Sequence, residues 1–487
     1  MKISFCYFAV LISLLGANTG FAQQKDRWKE TAWEEIDQTV TPAEITQDSL
    51  TYKLFDDSAA TAQHNSATYY YRACLKWAAM PKNHRAKLYS QQEPWFRGPL
   101  SDLPQVAVEQ WLSKTEPALK ELRKGLAGKC DWGIEDSQGL SIAEMTELDL
   151  SVELTVLREF ADVLRLQARL HLARSEFQQA VSVLAATIKL SQDITRLPGF
   201  LPPYSAINIA RNTLSTINEM ASLPNSPNMF RALQTLPNPI VNFRPVIRKQ
   251  YDSVQRSLQF LDDPESSNRS DDQWRAVFLD GLEQLDESSR SNYERTRPDS
   301  WNDIVASRER RLGLLLAKLF PSAKRELVNA GWDKEKLDAM HVGQVIAIQT
   351  RRLWERHVQL LQGIDNLSAA EVRERSKQME SGDLLYGELL GAFPVQNVIT
   401  TQEDLLLSRW SNFEISMNVE KLRHHLAKTG SFPNAKQFQA MSPCPDPQTD
   451  QPFEYRLLEN GDAQIQSSPI GEEDYVRTRY TIKKAQQ

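Results

Sequence analysis

The chain has 487 residues, of which 41% are hydrophobic, enough for two to four domains with real cores. That composition excludes a disordered polymer. The 63 acidic residues outnumber the 57 basic ones for a formal net charge of -6, and no basic stripe interrupts the balance, which argues against electrostatic binding to nucleic acid or anionic lipid.

Residues 1–22 read as a cleavable signal peptide. Lys2 precedes an apolar run from Ile3 to Leu15, and Gly16, Gly20 and Ala22 supply the small side chains that a signal peptidase needs. A run of about 13 residues is short for a hydrocarbon core of ~30 Å, so export to the periplasm or exterior is expected, without stable membrane insertion after cleavage. An uncleaved anchor is the alternative. Lipid attachment is disfavoured because Cys6 lies inside the run.

Residues 23–62 are polar, with scattered Trp28 and Trp33, and are expected to form a mobile or loosely docked arm. A first helical domain is expected over 63–225. Tyr70, Cys74 and Trp77 recur at helical spacing after Asn65, and a second helix runs from Pro104 through Val108, Trp111, Leu119 and Leu122 towards Gly128. After the loop Cys130–Gly133 comes the clearest stripe of the chain: Leu150, Leu154, Leu157, Ala161, Leu164 and Ala168 share one helical face. Leu164, Ala168, Phe177, Ala180 and Leu184 fit the packing positions of one tetratricopeptide-like hairpin. No further copy follows at a period near 34 residues, so no repeat array is expected.

Pro224, Pro227, Pro237, Pro239 and Pro245 mark a boundary. A second helical domain is expected over 246–395, with apolar faces at Leu312, Leu315 and Leu319 and at Val345, Ile348 and Leu353. Residues 403–487 change character: a helix stops at Gly430, Phe453 and Tyr455 alternate with polar neighbours, and Asn460-Gly461 is a two-residue hairpin turn. A long helix docked on a small antiparallel sheet is expected. The fold class is therefore mainly α: helical hairpins in two regions plus a small C-terminal α+β module with an antiparallel hairpin.

Cys130-Asp131-Trp132-Gly133, the Leu150 to Ala168 helix with its hairpin, and Ala323 to Leu327 running on to Gly331 and Met340 together resemble a family of uncharacterised exported helical proteins of planctomycete bacteria. The likeness covers most of the chain beyond the leader. Leu422 to Tyr455, with Gly430, Pro433, Asp446-Pro447, Thr449, Pro452 and Phe453, is similar to the tail of pseudopilins. No apolar helix directly precedes this tail, so assembly into a fibre is not implied. The resemblance implies a fold and an exported compartment, and no activity.

The seven histidines never take metal-ligand spacing, and the common nucleotide and hydrolase signatures are missing, so neither a metal nor a cofactor is expected. The candidate ligand contacts are Asp131, Trp132, Glu135 and Asp136, because an aromatic and acids share one loop. For Trp132 the alternative is a packing anchor. Glu472, Glu473 and Asp474 are weighed for acid–base work or calcium against ordinary solvated acids. Three cysteines remain beyond the leader; Cys74 with Cys130 is the pair available for a disulfide, the alternative being three buried thiols. Two functions remain open. One is a non-catalytic envelope scaffold that engages another envelope protein or a peptide; the other is an envelope enzyme or small-ligand binder with a site between the helical regions.

Overall fold

The computed structural model describes residues 33–55, 62–133, 151–197, 201–237, 240–242, 244, 263–265, 268–279, 301–363, 367, 371, 375, 412–447, 451–467 and 477–485. Residues 1–22, read in sequence as a signal peptide, together with Glu135, Asp136 and the acids 472–474 lie outside these residues. The protein is mainly helical with a small strand module. It divides into two compact units. The first holds Met1–Ile134, Leu150–Asn242 and Asp404–Gln487; the second holds Glu135–Asp149 and Phe243–Glu403.

The first unit begins with β1 (Trp33–Val40), followed by β2 (Ala62–Asn65), α1 (Ser66–Ala78), α2 (Lys82–Ser90) and a π-helical turn at Glu93–Arg97. Then come α3 (Gln105–Leu126), β3 (Gly128–Lys129), α4 (Ser151–Ala173), α5 (Phe177–Ile194), α6 (Leu201–Met220) and α7 (Phe230–Leu233). Asn65 caps α1 by accepting the Ala67 N–H, as an N-cap side chain should. α1 and α3 approach so closely that a Cβ on Gly125 would lie 2.6 Å from the ring of Tyr70. Only glycine fits there. α4 is the central helix, burying Leu157, Phe160, Val163, Leu166 and Leu170 among α1, α3, α5 and α6. It turns into α5 through Ser175, which takes the left-handed conformation at φ 59° that ends many helices. α4 and α5 pack as a hairpin; its tetratricopeptide likeness rests on the sequence alone.

The second unit contains α8 (271–279), α9 (Trp301–Asn329), α10 (Lys334–Ala339) and α11 (Val342–Leu361). The leucines at 312, 319 and 327 on α9 and Val345, Ile346 and Ile348 on α11 are buried where these helices pack. A Cβ on Gly343 would meet Trp274 Cβ at 2.6 Å, so this glycine admits the fully buried indole.

The first unit resumes with α12 (412–429), α13 (Ala435–Ala440), β4 (Pro445–Asp446), β5 (Gln451–Pro452), β6 (Glu454–Leu457), β7 (Ala463–Gln466) and β8 (Arg477–Lys484). α12 stops at Gly430, whose φ of 79° is the left-handed stop expected there. Ile415, Val419, Leu422 and Leu426 of α12 pack against Phe453, Tyr455, Ile465, Tyr480 and Ile482 of the sheet. Phe453 and Tyr455 thus share the helix-facing side, and the Tyr455 hydroxyl donates to Pro433 O at 2.6 Å.

Two expectations are corrected. The sheet is mixed: its order is β1-β8-β7-β6, with β8 antiparallel to β7 but parallel to β1. Residues 33–40 are therefore an edge strand in full register with 477–484, not a loosely docked arm. Glu35, Asp37 and Thr39 face outward, where Glu35 meets Arg479 and Asp37 meets Lys483, each at 2.6 Å; Gln38 and Val40, on the alternate side, are buried. Among the described residues no helix is long and apolar enough to cross a membrane.

Candidate functional site

The loop after β3 holds Asp131 and Trp132, two of the four residues singled out in sequence. Asn65 Oδ1 accepts the Asp131 N–H at 3.0 Å, and Asn65 Nδ2 donates to Asp131 O at 2.5 Å. The Asp131 carboxylate accepts the Gly133 N–H at 2.9 Å, closing an Asx turn. Trp132 is buried, lies 5.6 Å from the Tyr70 ring and 5.8 Å from that of Tyr71, and donates Nε1–H to Asp193 O at 2.9 Å. It is a packing anchor whose polar tip is already occupied.

Beneath that indole sits an ion cluster. Asp193 is fully buried; its carboxylate accepts from the Tyr70 hydroxyl at 2.6 Å and from Lys189 Nζ at 2.5 and 2.6 Å. Burial raises the Asp193 carboxyl, while Lys189 and Tyr70 pull it back; burial and Asp193 together push the Tyr70 phenol well up. Arg196 donates to Cys130 O at 2.8 Å. Each charge in the cluster has its partner within the chain.

Cys74 and Cys130 are free thiols, so the disulfide available in sequence is not formed. Cys74 is set beside Glu153 of α4, whereas Cys130 is set beside Asp193 and Lys189 of α5. Burial foremost, then the neighbouring carboxylate, pushes each thiol up to about 12. Both are held as unreactive thiols at neutral pH.

A second constellation runs along α4. Glu159 is buried and accepts from Trp77 Nε1 and the Tyr89 hydroxyl. Trp77 packs on Phe160 at 5.3 Å, and Trp111 packs on Trp95 at 5.1 Å and on His84 at 5.0 Å. One turn on from Glu159, Asp162 is pushed up to about 6 by burial, against the pull of Arg165 and Arg158 and with added repulsion from Glu159. Another turn on, Arg165 lies over the Phe96 ring at 5.4 Å and reaches Phe96 O at 3.4 Å. Arg169 binds both oxygens of Glu219, at 3.0 and 2.6 Å, and also donates to Trp95 O and Gly98 O. These two arginines therefore satisfy carbonyls that the π-helical turn leaves open.

No family model, curated protein or solved structure matches this chain.

A third network joins α12 to the segments before α7 and after β1. Arg423 is 0% exposed and Glu420 2%. Arg423 binds both Glu420 oxygens at 2.9 Å, Thr41 O at 2.9 Å, Pro227 O at 3.1 Å and Ser226 Oγ at 2.6 Å. Glu420 also accepts the Met229 N–H at 2.9 Å. Nearby, Asn418 brackets the backbone of Cys444, and burial and then Glu414 raise that thiol to about 11. Among the described residues no three His, Cys, Asp or Glu side chains are grouped to hold a metal ion.

Of the sequence candidates, Asp131 and Trp132 share the loop: the Trp132 indole N–H and one oxygen of the exposed Asp131 carboxylate are bonded within the chain. The stripe Glu159, Asp162, Arg165 and Arg169 was missed, although its signal was present: charges three or four apart inside an apolar helix share one face, here buried at Glu159 and Arg169 and half-buried between them. Chemically, the clusters fix geometry. Asp162 is the member whose proton can leave or return near neutral pH.

Proposed function

We propose that the protein is an exported, non-catalytic helical scaffold of the cell envelope that engages another envelope protein or a peptide. The observation that carries this reading is the internal use of the buried charges: Asp193 with Lys189 and Tyr70, Arg169 with Glu219, and Arg423 with Glu420 each form a closed network. Closed buried networks specify and stiffen a frame, whereas a catalytic constellation keeps a base or nucleophile aimed at a substrate position. Leu75 on α1 and Val152 on α4, 71% and 64% exposed and next in sequence to Cys74 and Glu153, offer apolar contact. Export rests on residues 1–22. Kinship with the exported planctomycete family, the tetratricopeptide-like packing of α4 with α5 and the pseudopilin likeness of α12 with its sheet belong to the same proposal.

The test is recovery of the chain from envelope fractions. Its intact mass should lack residues 1–22, and a stoichiometric partner should be lost when Leu75→Asp or Val152→Asp is introduced without change in unfolding. A mass that retains the leader, or a partner indifferent to both variants, refutes it. A second reading, an enzyme or small-ligand binder, is favoured by Asp162 alone, whose carboxyl is held near 6. A small molecule that stabilises the wild type but not Asp162→Asn would select that reading.

A further inference from the structure

The segment after β1 is fastened to the first unit rung by rung. Thr41 N–H donates to Ala221 O at 2.9 Å, and Thr41 O accepts from Arg423 Nε at 2.9 Å. Ala43 N–H donates to Arg423 O at 3.2 Å, and Ala43 O accepts from Asn228 Nδ2 at 3.1 Å. The next rung has different chemistry: the Ile45 N–H donates to Nδ1 of His424 at 3.0 Å. An imidazole nitrogen accepts a hydrogen bond only while it carries no proton, so this contact requires the neutral ring with its proton on Nε2.

We propose that His424 is a proton-operated latch: neutral, it holds the backbone at Ile45 against α12; protonated, it releases that rung, while those at Thr41 and Ala43 stay closed. The inference is independent of the scaffold reading. The rungs at Thr41 and Ala43 are made by backbone amides, the Thr41 hydroxyl, Asn228 and a guanidinium, none of which titrates between pH 5 and 8. The ring's charged surroundings favour opening in acid. Burial lowers its proton affinity most; Lys428 and His425 on its own helix lower it further, and Glu44 on the latched segment opposes them. Because the closed state disfavours the proton, the latch is fully engaged above the free-histidine value of about 6.5 and weakens as the pH falls below it.

The experiment is amide hydrogen exchange on the full chain between pH 7.5 and 5.0, corrected for intrinsic rates, with the His424 ring titrated in parallel by NMR. Protection of the Ile45 amide should fall by up to about tenfold for each pH unit below the free-histidine value of about 6.5 and level off once the pH passes the ring's own midpoint, while Thr41 and Ala43 keep theirs. His424→Asn offers a non-titrating carbonyl oxygen near the position of Nδ1 and should leave Ile45 protection independent of pH. If asparagine fails to reach, Ile45 exchanges freely at every pH, which likewise assigns the rung to residue 424. Ile45 protection that is unchanged from pH 7.5 to 5.0 in the wild type, or that falls identically in His424→Asn, overturns the proposal.

Discussion

Replacing Arg423 by methionine removes a buried cation while keeping most of its volume. The guanidinium donates to Thr41 O, Pro227 O, Ser226 O and Ser226 Oγ and to both oxygens of Glu420, so its loss leaves the 2%-exposed Glu420 carboxylate with the Met229 N–H as its remaining donor from this network. Breaking a buried pair from one side costs about 3–5 kcal/mol, because the abandoned charge stays desolvated. Removing both charges together avoids that penalty, so Arg423→Met with Glu420→Leu should be more stable than Arg423→Met alone by about 2 kcal/mol or more. The assay is denaturant unfolding read by hydrogen exchange in α12 and β8, which isolates the first unit from the second. A cost below about 1 kcal/mol for the single variant, or a double variant less stable than the single, would refute the assignment of this network as a closed ionic clasp.

Gly125→Ala should destabilise the first unit by about 1–3 kcal/mol in thermal unfolding, since the new methyl meets a Tyr70 ring pinned by its bond to Asp193, whereas an exposed helix glycine so changed would gain stability. Asp162 has its folded carboxyl raised to about 6 from 3.8, so its contribution is full below about pH 4 and is lost as the pH rises through 6. Asp162→Asn should therefore gain on the wild type, by an amount on the order of 2 kcal/mol, between pH 4 and pH 7.5 in denaturant titrations. Cys74 and Cys130, both held up to about 12, should resist iodoacetamide at pH 7.5 in the native protein and react on unfolding; non-reducing mass spectrometry should count both as free.

The helical frame was legible because burial imposes a period. Leu154, Leu157, Ala161, Leu164 and Ala168 are all buried on α4, as their spacing requires, and Gly430 ends α12 where a left-handed residue was anticipated. β1 was not legible, since Glu35 and Asp37 carry the signature of a solvated arm until Arg479 and Lys483, more than 440 positions later, are placed beside them. Trp132 posed a different difficulty. An aromatic among acids marks a ligand loop and a packing anchor alike, and the deciding group, Asp193 O, lies 61 residues away. The charged stripe of α4 is hidden because the leucines alone carry the helical period, while Glu159 is buried and Asp162 half-buried beside them.

The parallel pairing of β1 with β8 constrains the order in which the polypeptide can finish. The strand synthesised among the first of the described residues has its ladder partner at their far end, so the sheet closes only after nearly all the intervening chain exists. Until then Val40 lacks Tyr480 and Ile482 as neighbours and the acids at 35 and 37 lack their counter-ions. A truncated product ending before residue 477 would carry an unzipped edge, a natural mark for proteolytic disposal of unfinished chains.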